Sequence, residues 1–393
     1  MNVCMIASGY PSRSAPLRDI FIHYQAREMV SKGMNVQVIA LGDDDGPADE
    51  TVEGVRVHRV MRADFKPGRL LPFAFAARVA RKAVRLHRAE GFDIVHSHFA
   101  DHAGFAGAIV SRVLRKPFVL TVHGYDVNYS KELGYGFGVT WPQRVFVFLV
   151  LRSANKVCPV SNALRRRCIE RWLVDPARLQ VVHDGTAVEG PPDEQGLRRL
   201  RADLGLNGSK VILSVSSLLK VKGQQNVLRA LPTVVSEVPD AVFLMLGEGP
   251  YLGELRKLVA ELGIERHVRI VNRYAVGAEL ALFLGLCDVF VLASILEGFG
   301  IVYLDASALG KPVIGSRGQG DEDFIVDGRN GFLVEPGDTE ALAGRITLLL
   351  RDERLRLEMG HRAREAVQQG FLWRHNVEKL TAVYGELTGR GHQ

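Results

Sequence analysis

VFVLASILEGFGIVYLDASALGKPVIGS, Val289–Ser316, reads as strand, loop, helix, strand. An apolar β-branched run ends near Ser294 and a loop carries Glu297-Gly298-Phe299-Gly300. An apolar helix-length segment then holds one lone acid, Asp305, before a second apolar run starts at Pro312. Strands that are apolar on both faces and joined through a helix belong to a parallel sheet covered by helices on each side. On either side of this unit the pattern repeats, with strands predicted at Lys210–Ser216, Ala241–Gly247, Val268–Arg273, Val289–Ser294, Pro312–Ser316 and Gly331–Val334. An earlier series covers Asn2–Ser8, Val36–Leu41, Val55–Val60, Asp93–His98, Phe118–His123, Lys156–Ser161 and Leu179–His183. Between the two series, Thr186–Gly196 clusters Gly190, Pro191 and Pro192 without periodicity and is predicted as a linker.

The fold class expected is therefore α/β, with two Rossmann-like doubly wound domains, 1–186 and 197–370, facing a cleft. A terminal helix over 371–393 is expected to pack across both, through the stripe Phe371, Leu372, Trp373, Val377, Leu380 and Tyr384. Ligands of such sheets bind in loops beyond the strand C-termini. Two common fingerprints are missing from those loops. The first strand runs into Gly9-Tyr10-Pro11, not Gly-x-Gly-x-x-Gly, and no Gly-x-x-x-x-Gly-Lys-Ser/Thr occurs, so nicotinamide and ATP-hydrolysing readings lose their main support.

With 47% hydrophobic and 24% charged residues, disordered, collagenous and disulfide-rich classes are excluded. Cys4, Cys158, Cys168 and Cys287 have no Cys-x-x-Cys spacing and read as buried thiols of a reducing compartment. The N-terminus shows no signal-peptide pattern, and the longest apolar stretch, Val145–Leu151, is far short of the roughly 20 residues a membrane span needs. A cytoplasmic protein is expected. Residues 1–190 hold 26 Lys+Arg against 18 Asp+Glu, so the positive excess belongs to the first half. Two clusters supply much of it: Arg78, Arg81, Lys82, Arg85 and Arg88 at helical spacing, and Arg165, Arg166, Arg167 and Arg171. They read as solvated helix faces, or more sharply as a face for an anionic membrane or a phosphate-bearing acceptor; no nucleic-acid partner is expected.

Three segments carry candidate chemistry. Gly298 and Gly300 let backbone amides approach a ligand at a helix N-terminus, where donors and the helix dipole favour phosphate oxygens. Glu297 and Asp305 could hold sugar or ribose hydroxyls, or could be a helix-stabilising acid and a solvated one. In VILSVSSLLKVKGQQ, Lys220, Lys222 and Gly223 form a loop before a helix, where a lysine can neutralise a leaving diphosphate or lie solvated. In FVLTVHGYD, His123 and Asp126 stand at a strand end, suited to sugar hydroxyls or to internal hydrogen bonding. His96, His98 and His102 complete no known metal-ligand spacing, and no metal is expected.

Together these segments resemble the retaining glycosyltransferases of family 4, or group 1, with the two-Rossmann architecture named GT-B. The resemblance spans nearly the whole chain and is most specific at EGFGIVYLD, ASALGKPVIGS and DGRNGFLVEPGD. DIVHSH, TVHGYD, VSNALRRR, Lys222-Gly223 and Leu246–Pro250 also match. PLRDIFIHYQ and SRGQGDEDFI look most like bacterial cell-envelope polysaccharide enzymes of the teichuronic acid type. The resemblance implies a nucleotide diphosphate sugar donor, UDP- or GDP-linked, a glycan or lipid-linked acceptor, and no metal cofactor. It implies that Glu297, Lys222 and His123 are catalytic: Glu297 on the sugar hydroxyls, Lys222 on the diphosphate, His123 beside the sugar. It further implies donor contacts at Gly298, Phe299, Gly300, Ile301, Asp305, Ser217 and Asp126, with Asp305 on the ribose diol.

The chain departs from the family pattern at three places. Ser216-Ser217 stands where Gly-Arg is usual, removing a second cation from the diphosphate, for which Arg18 or Lys220 could substitute. Asp305 replaces a glutamate, and Asp19 replaces a glycine of the N-terminal loop. A degenerate nucleotide-sugar-binding protein, or a sugar-nucleotide 2-epimerase of the same fold, is the rival expectation.

Overall fold

The computed structural model describes residues 1–42, 47–62, 71–188 and 190–390, so Glu189 of the predicted linker and 391–393 of the predicted terminal segment lie outside the described residues. The chain divides into two units, Met1–Asp184 with Trp373–Gln393, and Gly185–Leu372.

In the first unit the order is β1 (Asn2–Ala7), α1 (Ile20–Ser31), β2 (Asn35–Gly42), β3 (Asp49–Val52), β4 (Val55–Arg62) and α2 (Leu71–Glu90). β5 (Ile94–His98), α3 (His102–Leu114), β6 (Phe118–Val122), α4 (Trp141–Ser153), β7 (Lys156–Pro159) and α5 (Asn162–Glu170) follow. The sheet order is β3-β4-β2-β1-β5-β6-β7, parallel throughout except for β3. That edge strand was not expected from the sequence. It folds back on β4 through Glu53 and Gly54, whose φ values of 45° and 83° are the pair of positive angles a two-residue hairpin needs. The strand predicted at Leu179–His183 is not one: Gln180 and Val182 donate to the carbonyls of Val157 and Pro159 beside β7, leaving an isolated bridge and no ladder.

In the second unit the helices and strands are α6 (Glu194–Asp203), β8 (Lys210–Val215), α7 (Gln224–Glu237), β9 (Ala241–Leu246), α8 (Leu252–Glu261), β10 (Val268–Val271) and α9 (Gly277–Leu286). They continue through β11 (Val289–Val291), α10 (Ile301–Ala308), β12 (Val313–Ser316), β13 (Gly331–Val334), α11 (Thr339–Arg351) and α12 (Glu353–Gly370). The sheet order β10-β9-β8-β11-β12-β13 is parallel throughout, with the direction of travel reversing between β8 and β11. α6 starts at Glu194, inside the predicted linker, because Asp193 caps it by accepting from the amides of Gln195 and Gly196.

The last helix, α13 (Trp373–Thr388), belongs to the first unit. Its Val377, Leu380, Val383 and Tyr384 are part of the core that β1, β2 and α1 build. Gln25 donates to Asn376 at 2.8 Å, and the Tyr384 hydroxyl meets Nδ1 of His96 at 2.6 Å. Phe371 and Leu372, predicted on the same stripe, stay with the second unit. Leu372 bridges Thr186, so the chain enters and leaves that unit side by side.

Candidate active site

Where a parallel sheet reverses direction, the loops after the two central strands diverge and leave a crevice. In the second unit these are Ser216–Gly223, after β8, and Leu292–Gly300, after β11. They are laid directly on one another. Gly223 has φ 76°, and a Cβ there would stand 1.8 Å from the Ala293 carbonyl oxygen, so only glycine allows the contact. The Ile295 amide donates to Val221 at 2.7 Å. This closeness brings Lys222 Nζ to 2.8 Å from Glu297 Oε2, with the side chains 18% and 7% exposed. Ser294 Oγ donates to the same carboxylate oxygen at 3.1 Å, and Gln319 Oε1 accepts from the Glu297 amide at 3.1 Å. Next to the pair, Gly300 sits left-handed at φ 84° as the N-cap of α10 and offers no side chain to cap its amides. A cation, a carboxylate and a bare helix start thus converge at the reversal point.

Behind the pair lies Asp321. Its Oδ2 accepts from the Ser316 amide at 2.7 Å, while its buried Oδ1 has no partner among the described residues. Burial pushes its carboxyl up to about 8, and the nearby Glu297 adds to the rise. Asp305 is buried as well. Thr186 Oγ1 donates to its Oδ1 at 2.6 Å, and burial raises its carboxyl to about 7.

The first unit gathers a second set at its own reversal point, between β1 and β5. Nε2 of His123 is 3.0 Å from Nδ1 of His98, on which it stacks, and its Nδ1 is 3.6 Å from Asp184 Oδ2. Asp126 accepts from the amides of Ala100, His123 and Gly124 at 2.8, 3.2 and 2.9 Å. Asp19 takes the left-handed conformation, φ 49°, at the start of α1, where a glycine would be at ease. A Cβ on Gly9 would lie 2.0 Å from its carboxylate. Burial pushes the Asp19 carboxyl up, with His123 and Arg18 pulling it down. Asp101, hydrogen-bonded to Ser8 and to the Ala103 amide, is raised by burial to about 7.

The model for glycosyl transferases group 1 matches residues 198–366, and that for the glycosyl transferase 4-like domain matches 20–185. N-acetyl-alpha-D-glucosaminyl L-malate synthase of Bacillus anthracis is 31% identical over 313 residues, 79% of this chain and 78% of that protein. This chain is a group 1 glycosyltransferase. The GDP-mannose-dependent alpha-(1-6)-phosphatidylinositol monomannoside mannosyltransferase of Mycolicibacterium smegmatis is 29% identical over 320 residues, 79% of the chain and 80% of that protein. Among solved structures, Anabaena HepE in complex with UDP and glucose superposes with a TM-score of 0.79 at 20% identity, over 98% of this chain and 100% of that one. Its likeness extends the GT-B fold to the whole transferase.

Of the residues read from the transferase's sequence, Lys222, Glu297, Gly298 and Gly300 are brought together. Ile301 opens α10, and Phe299 turns inward, its ring near that of Phe371 at 6.1 Å. Ser217 faces Tyr274, hydroxyl to hydroxyl at 3.3 Å, and both Lys220 and Arg18 are exposed. Asp305 is engaged by the segment entering the unit. The carboxylate of Asp126, expected on the donor, accepts from the backbone amides of Ala100, His123 and Gly124. The three histidines around Val95–His102 hold no metal arrangement: among the described residues no three His, Cys, Asp or Glu side chains are placed to bind an ion. His96 is bonded to Thr121 and Tyr384, and His98 to His123. All four cysteines are free and buried. Among the described residues no helix is long and apolar enough to cross a membrane.

Asp321 escaped the sequence reading because Asp321, Glu322 and Asp323 look like a solvated acidic run. The tight 3₁₀ turn over Gly320–Asp323 buries the first and leaves the other two half-buried. Its raised carboxyl has a thermodynamic consequence. The folded enzyme keeps protons that the unfolded chain releases above about pH 4, so the stability from Asp305 and Asp321 is complete below that pH and is lost as pH rises through 7 and 8. The melting temperature of the ligand-free transferase is expected to fall between about pH 5 and pH 8.5, and Asp321→Asn to flatten that fall in calorimetry. An unchanged slope in the variant would refute the assignment.

Proposed function

We propose that this enzyme moves a sugar from a UDP- or GDP-linked donor to a glycan or lipid-linked acceptor of the cell envelope, with retention of anomeric configuration and without a metal. The observation carrying this reading is the buried Lys222–Glu297 pair beside the uncapped start of α10. An arriving diphosphate would take Lys222 from Glu297 and accept from the amides of Gly298–Ile301, where the dipole of α10 also favours negative charge. Glu297, released, would accept hydrogen bonds from hydroxyls of the sugar being moved. Asp305 would share its carboxylate between Thr186 and the ribose diol.

As the anomeric carbon–oxygen bond to the diphosphate breaks, negative charge grows on the leaving oxygen, and Lys222 with the amides is aimed at that charge. The acceptor oxygen bonds to the anomeric carbon from the same face, and its proton passes to the departing phosphate oxygen. His123 would lie beside the sugar, its ring fixed by His98 and Asp184. A lipid-linked acceptor would bring the enzyme to the inner face of a membrane. HepE, with its UDP and glucose, and the GDP-mannose-dependent relative support a nucleotide-sugar donor.

The test is a panel of labelled UDP- and GDP-sugars incubated with the enzyme in EDTA, scored for release of nucleoside diphosphate. One or a few donors should turn over. No release from any, with or without acceptor extract, would remove the transferase reading, and dependence on added divalent ion would remove its metal-free form.

A further inference from the structure

Helix α4 is apolar on two opposite sides. Val147, Val150 and Leu151 are buried in the unit, whereas Trp141, Val145 and Leu149, spaced one turn apart, face outward. Trp141 is 71% exposed and Leu149 60%. The core that α4 closes does not account for its outer apolar side chains, and a contiguous apolar strip in water marks a surface with a partner. The start of α4 is fixed by a cap: the Gln143 side chain accepts from the Thr140 amide at 3.0 Å.

Phe105 of α3 lies between Phe146 of α4 and Phe73 of α2, with ring centroids 5.3 and 5.5 Å away, so the beginnings of the three helices adjoin. Phe73 is itself 60% exposed. Beyond it α2 presents Arg78, Arg81, Arg85 and Arg88 on one exposed side, with no acidic residue from Leu71 to Ala89.

We propose that the outer faces of α2 and α4 seat this enzyme on an anionic lipid bilayer, arginines against headgroup phosphates and Trp141, Leu149 and Phe73 in the interfacial layer. Basic helices edged with tryptophan, phenylalanine and leucine partition to that layer because each part finds its preferred depth. The charge argues against a second copy as occupant, since a twofold contact would set the arginine row against itself. This inference does not depend on the donor chemistry.

The full chain is mixed with vesicles of phosphatidylcholine alone or with added phosphatidylglycerol, and bound protein is sedimented. Binding is expected on the anionic vesicles and should weaken at least tenfold as salt rises from about 0.1 to 0.5 M. Trp172 and Trp373 are 3% and 6% exposed, so a blue shift of tryptophan emission on binding reports Trp141. Trp141→Ala and Leu149→Ser should each lower the partition coefficient about tenfold, and Arg81→Glu with Arg85→Glu should abolish binding, all with unchanged melting temperature. Equal binding to both vesicle types, absence of the blue shift, or variants that bind like the parent would overturn the proposal. So would a vesicle-free dimer that Leu149→Ser splits into monomers.

Discussion

Lys222→Ala is expected to lower kcat by about a hundredfold or more, the scale on which donors aimed at developing charge act in other enzymes. Ser217 stands where the family pattern has an arginine, and Lys220 on the same turn is exposed. The variant also strips a buried carboxylate of its partner, which in comparable pairs costs about 3–5 kcal/mol. A drop in activity alone would therefore be ambiguous. The double variant Lys222→Met with Glu297→Gln removes both charges, and should recover most of the lost melting temperature while remaining inactive. Wild-type turnover in Lys222→Ala, or activity returning with stability in the double variant, would remove the lysine from the chemistry.

Glu297→Gln should also reduce kcat/KM by about a hundredfold, but with a different signature. In the proposed mechanism Glu297 and the diphosphate compete for Lys222, so an uncharged amide would free the ammonium. Free nucleoside diphosphate should bind the variant as tightly as the parent or tighter, while the extra affinity that an attached sugar confers is lost. Calorimetric titration with UDP, GDP and the donor found in the panel measures both. Weaker diphosphate binding in the variant would show that the carboxylate serves the phosphates and not the sugar. On the proposed mechanism the same competition should make the parent hold donor better than product, because departure of the sugar removes its hydroxyls from Glu297 and returns the carboxylate to Lys222.

The two sheets were legible because their strands are apolar on both faces and glycine marks the loops after them. The hairpin strand Asp49–Val52 was not, since half its side chains face water and its alternation carries little apolar signal, although Glu53-Gly54 held the turn. Leu179–His183 misled in the opposite way: an apolar run was read as a strand where it supplies two hydrogen bonds and no ladder. In the site, Lys222, Glu297 and Gly300 could be found because backbone approach constrains residue type locally. Pairings made across the fold leave no local trace. Neither the contact of His98 with His123, nor that of Asp184 with the same ring, nor the inward turn of Asp321 follows from spacing along the chain. The left-handed backbone at Asp19 explains why glycine is the family residue there.

The helix that closes the core of the first unit is made only after the whole of the second unit. While the ribosome works, β1, β2 and α1 wait with an open apolar flank until Val377–Tyr384 emerge, whereas Gly185–Leu372 already has its full complement of strands and helices. Vectorial synthesis then favours the later unit maturing first, the reverse of the usual N-to-C order. A nascent chain stalled before α13 would present that flank to chaperones.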